Sequence, residues 1–421
     1  MNQDSNQSQA PLYFDCHMCG ECCSSWNIPI ETEKARQLLE RPWVQARLTE
    51  TRRALTPMTA ETYRIPLTDE NMCVFLADDR RCMVEIHEGL TLKPHECQRF
   101  PFATVRLPNG TDWHETSAAC KSISEKLLLA FQPIQPRQER MNQPQTVASQ
   151  DPKLEASGDL WSFPDELLQA NHEQAASLEP VALLPERIPL LGFKSLSAAQ
   201  YATYQNALKR IFQSTTHPEA ALFQAAACLR ECTASKRPQN NSGEGASRGF
   251  TNTMGSRRFA QSMGGLLTLL FLRKPYRTLS SVQLILGRDY TDPRLFGEPI
   301  ALRAQSRIPW NSELNLHLNA FLFNLLQRKR LLALGSSLSA QLAMAGMACL
   351  LVQWYARALA SLASLDQLGE KELTTAIRLV ERYYTGHQPR FIQWFSCRWR
   401  GAISYRLLFE VFWGSNPANS S

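Results

Sequence analysis

The side chains in this sequence best suited to chemistry are eight cysteines within its first 120 residues. Four of them fall within a stretch of eight residues. A thiolate binds soft or borderline metals, and two cysteines separated by two residues can reach the same ion. The sequence therefore predicts a metal centre whose ligands are Cys16, Cys19, Cys22, Cys23, Cys73, Cys82, Cys97 and Cys120.

The spacing of the first four cysteines bears on the kind of metal. Cys16, Cys19 and Cys22 are each separated by two residues, whereas Cys23 follows Cys22 directly. Neighbouring side chains usually diverge, so we expect Cys22 and Cys23 to serve different metal atoms. That favours a multinuclear cluster, or two separate sites, over one tetrahedral zinc. A [4Fe–4S] cluster takes four thiolates, so the cysteines could hold two clusters, or one cluster and one structural site. A Cys₄ zinc knuckle is the alternative.

Other residues that could ligate a metal receive plainer interpretations. Histidine can replace cysteine on iron, but surface or hydrogen-bonding roles are expected for His17, His95 and His114. The four later cysteines are expected to be core residues, since a free cysteine packs as a small hydrophobe. They are Cys228, Cys232, Cys349 and Cys397.

Composition narrows the class of protein. With 421 residues, 44% hydrophobic and 20% charged, the chain suits a soluble globular protein of two or three domains. A net charge of +6 is small for this length and does not indicate a nucleic-acid partner.

Residues 1–11 have no signal-peptide pattern. The most apolar windows, Gly265–Leu272 and Leu342–Val352, are shorter than the ~20 residues of a membrane span. We therefore expect no membrane association and a cytoplasmic location, where clustered thiols stay reduced.

The elements that must position the cysteines are short. Strands are expected near residues 26–30 and 63–67, and Cys73–Leu76 is expected to pair with Cys82–Ile86. Asn109-Gly110 between two alternating runs predicts a β-hairpin over 102–116. Helices are predicted near 34–39 and 123–131. The fold class predicted for residues 1–131 is a small, loop-rich α+β cysteine-cluster domain, which needs a metal to stabilise its small core.

The rest of the chain is predicted to be a linker and docking segment over 132–194, followed by an all-α helical domain over 195–421. Apolar residues recur there at three- and four-residue spacing. Two charged groups are interpreted as solvated faces: residues 327–330, and Arg378 with Glu381 and Arg382. The alternative for residues 327–330 is that they bind an acidic protein partner. The predicted helices span 198–212, 218–232, 259–272, 314–334, 338–365, 372–384 and 390–412.

The cysteine motifs carry a family resemblance. Cys16-x2-Cys19-Gly20-x-Cys22-Cys23, then Cys73-Val74-Phe75-Leu76 with Cys82, then Lys93-Pro94-x2-Cys97-x-Arg99-Phe100-Pro101 resemble the zinc- or iron-chelating CxxCxxCC family, also called YkgJ-type cysteine-cluster proteins. The resemblance covers about residues 14–120. The same domain opens the flagellin lysine N-methylases, and residues 316–323 and 376–387 are loosely similar to their helical region.

Two functions from different classes follow. The first is an iron–sulfur or zinc-binding protein with a redox or metal-dependent role. The second, implied by the methylase resemblance, is a protein lysine N-methyltransferase that uses S-adenosylmethionine and acts on a protein substrate. No catalytic base and no methyl-donor site can be assigned to a residue, since Gly243-Glu244-Gly245 follows no strand. The sequence does not define the oligomeric state.

Overall fold

The computed structural model describes residues 19–24, 28–130, 182–190, 194–234 and 308–385. For residues 126–130 and 232–234 it describes the backbone only. The N-terminal part contains small strands and short helices, and residues 312–385 are helical. The predicted combination of a loop-rich α+β region with a helical region is therefore confirmed.

The N-terminal part begins with a 3-10 turn at Glu21–Cys23. Its first sheet has the strand order β1-β3-β2, and β1 pairs with β3 in antiparallel register from Ile28↔Ile65 to Glu31↔Thr62. Two helices follow β1 and cover one side of this sheet's apolar residues. The elements are β1 (Ile28–Glu31), α1 (Thr32–Leu39), α2 (Pro42–Glu50), β2 (Thr56–Pro57), β3 (Thr62–Ile65), α3 (Met83–Glu88) and α4 (His95–Arg99).

The hairpin predicted from Asn109-Gly110 is confirmed. Strands β4 (Phe102–Arg106) and β5 (Asp112–Thr116) pair in antiparallel register, and Gly110 has the positive φ of 86° that this turn requires. Strand β6 (Ala182–Leu183) adds to β4 in parallel, and α5 (Lys121–Ala130) follows the hairpin.

The strand pair expected between Cys73–Leu76 and Cys82–Ile86 is wrong, because Val74 and Phe75 form a turn and a helix begins at Met83. Only an isolated bridge joins Leu76 to Cys82, and α3 begins at the next residue, Met83. The amide of Met83 donates to the carbonyl of Phe75 beside this bridge. The pairing ends there because the chain becomes helical from Met83 onward. A compact apolar run of this length fits either a strand or one helical turn, and here Val84 is buried from a helix.

The helical part follows a short β-ribbon of β7 (Ile188–Pro189) and β8 (Ser195–Leu196). Ser197 and Gln200 form a capping box at the start of the first helix. The helices predicted over 259–272 and 390–412 lie outside the described residues. The described helices are α6 (Ala198–Ser214), α7 (Pro218–Ala234), α8 (Asn315–Gln327), α9 (Arg330–Ala333), α10 (Leu338–Leu362) and α11 (Glu370–Val380), which continues as a π-helical turn at Glu381–Thr385.

The single helix predicted over 314–334 is interrupted, and a carboxylate explains the break. Glu115 of β5 accepts hydrogen bonds from the amides of Lys329 and Arg330, which would otherwise continue the helix. On the other side, Gln341 donates to the carbonyls of Leu325 and Arg328 at the end of α8. Side chains from two distant elements thus satisfy the backbone groups that the break leaves open.

Helix α10 lies at the centre of the helical part and is buried on nearly all of its faces. By length and composition it could also cross a membrane, but 78% of its most apolar window is buried inside the fold. Cys349 lies in this helix with no exposed surface, and Cys228 of α7 packs partly buried against the same core, as predicted. Cys397 and the side chain of Cys232 lie outside the described residues.

The described residues form two hydrophobic cores, and their division does not coincide with residue 131. One core contains apolar residues between Ile28 and Leu92. The other joins the hairpin and α5 to the helices, because Val105, Leu107 and Ile123 pack in the same cluster as α10. Whether residues 1–131 and 195–421 fold as separate domains remains a prediction.

Candidate metal centre

The 3-10 turn that carries Cys22 and Cys23 depends on Gly20. This residue has φ of 70°, which L side chains rarely adopt, and a Cβ there would lie 3.1 Å from Leu76 Cδ2. The amide of Cys23 closes the turn by donating to the Gly20 carbonyl at 2.9 Å. The glycine in the motif therefore permits the turn to press against the segment that contains Cys73.

Cys22 and Cys23 do not diverge, contrary to the expectation from their adjacency. Their Sγ atoms lie 3.8 Å apart within the 3-10 turn. Two thiolates bound to one tetrahedral ion at about 2.3 Å are separated by about 3.8 Å. The pair therefore has the sulfur spacing of two ligands of the same metal atom.

Cys73, Cys82 and Cys97 come to this turn from three different segments. The amide of Cys73 donates to the carbonyl of Cys23 at 2.6 Å, which fixes the first of them beside the turn. The bridge to Leu76 places Cys82 at the start of α3. Cys97 lies in α4, whose first turn is closed by a bond from its amide to the Pro94 carbonyl.

The thiols of Cys73 and Cys97 are buried near other thiols that affect their ionisation. Burial raises the pKa of Cys73 to about 12, and the charges of Cys82 and Cys22 act in the same direction. Burial also raises the pKa of Cys97, with further contributions from Cys73 and Cys82. Neighbouring thiols thus oppose the ionisation of Cys73 and Cys97, and a bound cation would favour their thiolate forms.

The Cys22–Cys23 pair titrates as a unit. The hydrogen bond from Cys23 lowers the pKa of Cys22 to about 7 against the effect of burial, helped by the charges of Lys93 and Arg382. The same hydrogen bond and burial raise the pKa of Cys23. The hydrogen bond within the pair thus favours ionisation of Cys22 over that of Cys23.

Of the three remaining predicted ligands, the structure describes Cys19 and Cys120. Arg80 donates to the backbone carbonyl of Cys19 at 3.1 Å, and Cys19 directly precedes the turn. Burial raises the pKa of Cys120 to about 12, with smaller contributions from Cys22 and Cys19, so this thiol approaches the turn from the start of α5. Cys16 and His17 lie outside the described residues.

The donor set is chemically suited to zinc or iron, although the side chains do not converge on one point. Within residues 19–24, 28–130, 182–190, 194–234 and 308–385, no three His, Cys, Asp or Glu side chains are spaced to hold one ion. His95 is half-exposed on the surface near Glu31, and His114 is buried in a hydrogen bond with Thr104, so the first has the surface role and the second the hydrogen-bonding role expected for them. The thiols alone supply the candidate ligands.

The helical part contributes residues that sequence reasoning assigned to solvent. Arg378 and Arg382 have side chains only 12% and 10% exposed, and both reach Glu21 beside Cys22, at 3.0 and 3.7 Å. Arg382 also donates to Ser24 at 2.9 Å. The interpretation of this group as a solvated face is wrong, because its partners lie in the cysteine turn. A pair of arginines at i and i+4, on one helix face, was the available signal.

Arg328 and Lys329, in the basic run at residues 327–330, are also buried rather than solvated. Arg328 forms an ion pair with Glu381 at 2.6 Å. The amine of Lys329 lies 3.3 Å from the ring centroid of Trp113 in the hairpin. Arg328 also donates to the carbonyl of Thr116 at 3.2 Å, so both side chains contact the hairpin and join the two parts of the chain.

Comparison with known proteins identifies the cysteine region. Residues 15–121 match the family model CxxCxxCC, described as "Putative zinc- or iron-chelating domain". The match covers the seven described candidate cysteines as well as Cys16. No curated protein and no solved structure matches the chain, so the resemblance to the flagellin lysine N-methylases has no support from these comparisons.

Proposed function

We propose that this protein binds iron or zinc through cysteine thiolates, and that the metal has a redox or other metal-dependent role. The observation that carries the proposal is the Cys22–Cys23 pair, whose sulfurs lie 3.8 Å apart beside Cys73, Cys82 and Cys97. The family match supports the same chemistry.

We favour an iron–sulfur centre over a single zinc on the number of thiols. Five thiols lie close enough to interact electrostatically: those of Cys22, Cys23, Cys73, Cys82 and Cys97. Their number exceeds the four thiolates that one tetrahedral ion binds. A [4Fe–4S] cluster also takes four thiolates, so the eight candidate cysteines could supply two clusters, or one cluster and one structural site. The 3.8 Å spacing of the Cys22 and Cys23 sulfurs fits two thiolates on one iron of a [2Fe–2S] centre as well as two on a zinc ion, whereas each iron of a [4Fe–4S] cluster takes one thiolate. Reduced thiols of this kind belong in the cytoplasm.

The deciding experiment is anaerobic purification of the full-length chain, with iron, zinc and acid-labile sulfide analysis and an absorption spectrum. Iron with sulfide and a broad visible absorption is the expected result. Stoichiometric zinc without sulfide would overturn the iron–sulfur proposal and leave a structural zinc site. Protein purified without either metal, and unable to take one up, would contradict the metal centre altogether.

The lysine N-methyltransferase alternative stays a prediction. It requires S-adenosylmethionine binding, which isothermal calorimetry with the full-length protein measures directly. Absence of binding by the metal-loaded protein would remove this alternative.

A further inference from the structure

Arg382 of the π-helical turn contacts the chain on both sides of the Cys22–Cys23 pair. Its Nη1 donates to Ser24 Oγ at 2.9 Å, and its Nη2 lies 3.7 Å from Glu21 Oε2. Glu21 directly precedes the pair and Ser24 directly follows it. The guanidinium therefore spans the two cysteines, although it comes from a residue 358 positions away from Ser24.

This guanidinium has donors that remain unsatisfied. Within the described part of the chain, Nε and Nη2 of Arg382 are buried and have no hydrogen-bond partner. An arginine cannot lose its proton to escape burial, and a buried charge without compensation is strongly unfavourable. Glu21 compensates only in part, because Arg378 binds the same carboxylate at 3.0 Å. Two cations thus share one carboxylate, and a positive charge is left beside the thiols.

We propose that Arg382 is a positioning residue of the metal centre, whose free N–H groups and charge balance the thiolates of Cys22 and Cys23 when a metal is bound. This inference rests on the proposed function. A metal bound by several thiolates carries excess negative charge, and hydrogen bonds to the sulfurs tune such centres. The π-helical turn agrees with this role, since single π turns recur at functional sites. The metal site would then include a part of the helical region that no cysteine motif marks.

The test compares zinc affinity among variants of the full-length, metal-free protein under reducing conditions, by competition with a zinc chelator. Arg382→Gln is expected to weaken Zn²⁺ binding by about 10–100-fold, as removal of a partner of metal ligands does in other sites. Arg357→Gln is the matched control, because Arg357 is a partly buried arginine of α10 that contacts Ile308 and Trp310 instead. Its affinity is expected to equal that of the wild type.

Arg382→Lys separates charge from simple loss of fold, because it retains a cation at this position. We expect it to bind Zn²⁺ more tightly than Arg382→Gln. Equal affinities of the wild type and Arg382→Gln would overturn the inference while leaving the metal centre intact. A wild-type protein that binds neither Zn²⁺ nor iron would overturn the proposed function, and with it this inference.

Hydrogen exchange of the wild-type protein supplies a second readout that does not depend on a variant's folding. Zn²⁺ should slow exchange of amides at residues 378–385 as well as in the cysteine turn, because Arg382 would be held by both. Protection confined to the cysteine turn would contradict a role for Arg382.

Discussion

Nη1 of Arg328 lies 2.6 Å from Oε1 of Glu381, and both side chains are almost fully buried. Ser117 donates to the same carboxylate oxygen at 3.0 Å, and Arg328 also donates to the carbonyl of Thr116. This ion pair therefore joins the end of the β-hairpin, the end of α8 and the π-helical turn. Glu381 directly precedes Arg382 in the sequence. The ion pair therefore also fixes the residue that faces the cysteine turn.

We predict that Glu381→Gln lowers the free energy of unfolding by about 3–5 kcal/mol, because Arg328 is left as an uncompensated buried charge. Denaturant unfolding followed by circular dichroism measures the change. The matched control is Glu33→Gln, which breaks an exposed pair with Arg36 and should leave stability close to that of the wild type, because water screens exposed ion pairs. Similar small losses in both variants would show that the buried pair is not stabilising.

Replacing either cysteine of the close pair should remove metal. We expect Cys22→Ser and Cys23→Ser each to lower the metal content of purified protein below half of the wild-type value, because each loses a thiolate ligand. Elemental analysis measures this. Cys228→Ser, which changes a partly buried thiol in the helical core, should retain full metal content. Equal metal loss in Cys228→Ser would mean that the metal content reports folding rather than ligation.

Gly20→Ala should weaken the site through the backbone. The left-handed conformation costs an L residue about 1–2 kcal/mol, and the new Cβ would also press on Leu76 and Arg80. We therefore expect lower stability and weaker Zn²⁺ binding. Gly110→Ala carries a similar positive φ with open space around it, so it should lower stability without changing Zn²⁺ affinity. Unchanged Zn²⁺ affinity in Gly20→Ala would contradict a link between this turn and the site.

Lys329 should make stability depend on pH. Burial lowers its pKa from an ordinary 10.5 to about 7, against the attraction of Glu115. Between these two values the unfolded chain holds more protons than the folded protein, so this group makes the free energy of unfolding rise with pH; below about pH 7 its contribution is constant. The difference in stability between wild type and Lys329→Met should therefore change from pH 7 to 10. A constant difference over this range would show that Lys329 keeps an ordinary pKa.

Val105→Ala tests whether the hairpin and the helices share a core. Val105 is fully buried in β4 within the cluster that contains α10, so we expect a loss of about 1–3 kcal/mol. The amide hydrogens of α10 should also exchange faster in Val105→Ala than in the wild type. Leu183→Ala, on the neighbouring strand but 65% exposed, serves as the control and should have little effect. Unchanged exchange in α10 would favour independent domains divided near residue 131.

Local signals in the sequence predicted the elements that local interactions decide. Asn109-Gly110 predicted the hairpin because its turn imposes the backbone twist that paired strands need. The helix beginning at Ala198 was predicted from periodicity, and the Ser197 cap agrees with it. The short run after Cys82 was assigned to a strand, because six residues do not distinguish the two periods.

The sequence by itself determined the thiolate chemistry of the candidate site, since cysteine type and spacing restrict which metals can bind, and it marked Gly20 within the motif. Only the tertiary structure decided which charges surround those thiols. Arg328, Arg378 and Arg382 looked solvent-exposed because charged side chains usually are. Their burial depends on carboxylates more than 50 residues distant, in Glu381 and Glu21. No local sequence pattern predicts such pairs. A buried charge is stabilised by an oppositely charged partner, and here that partner comes close only when the chain folds.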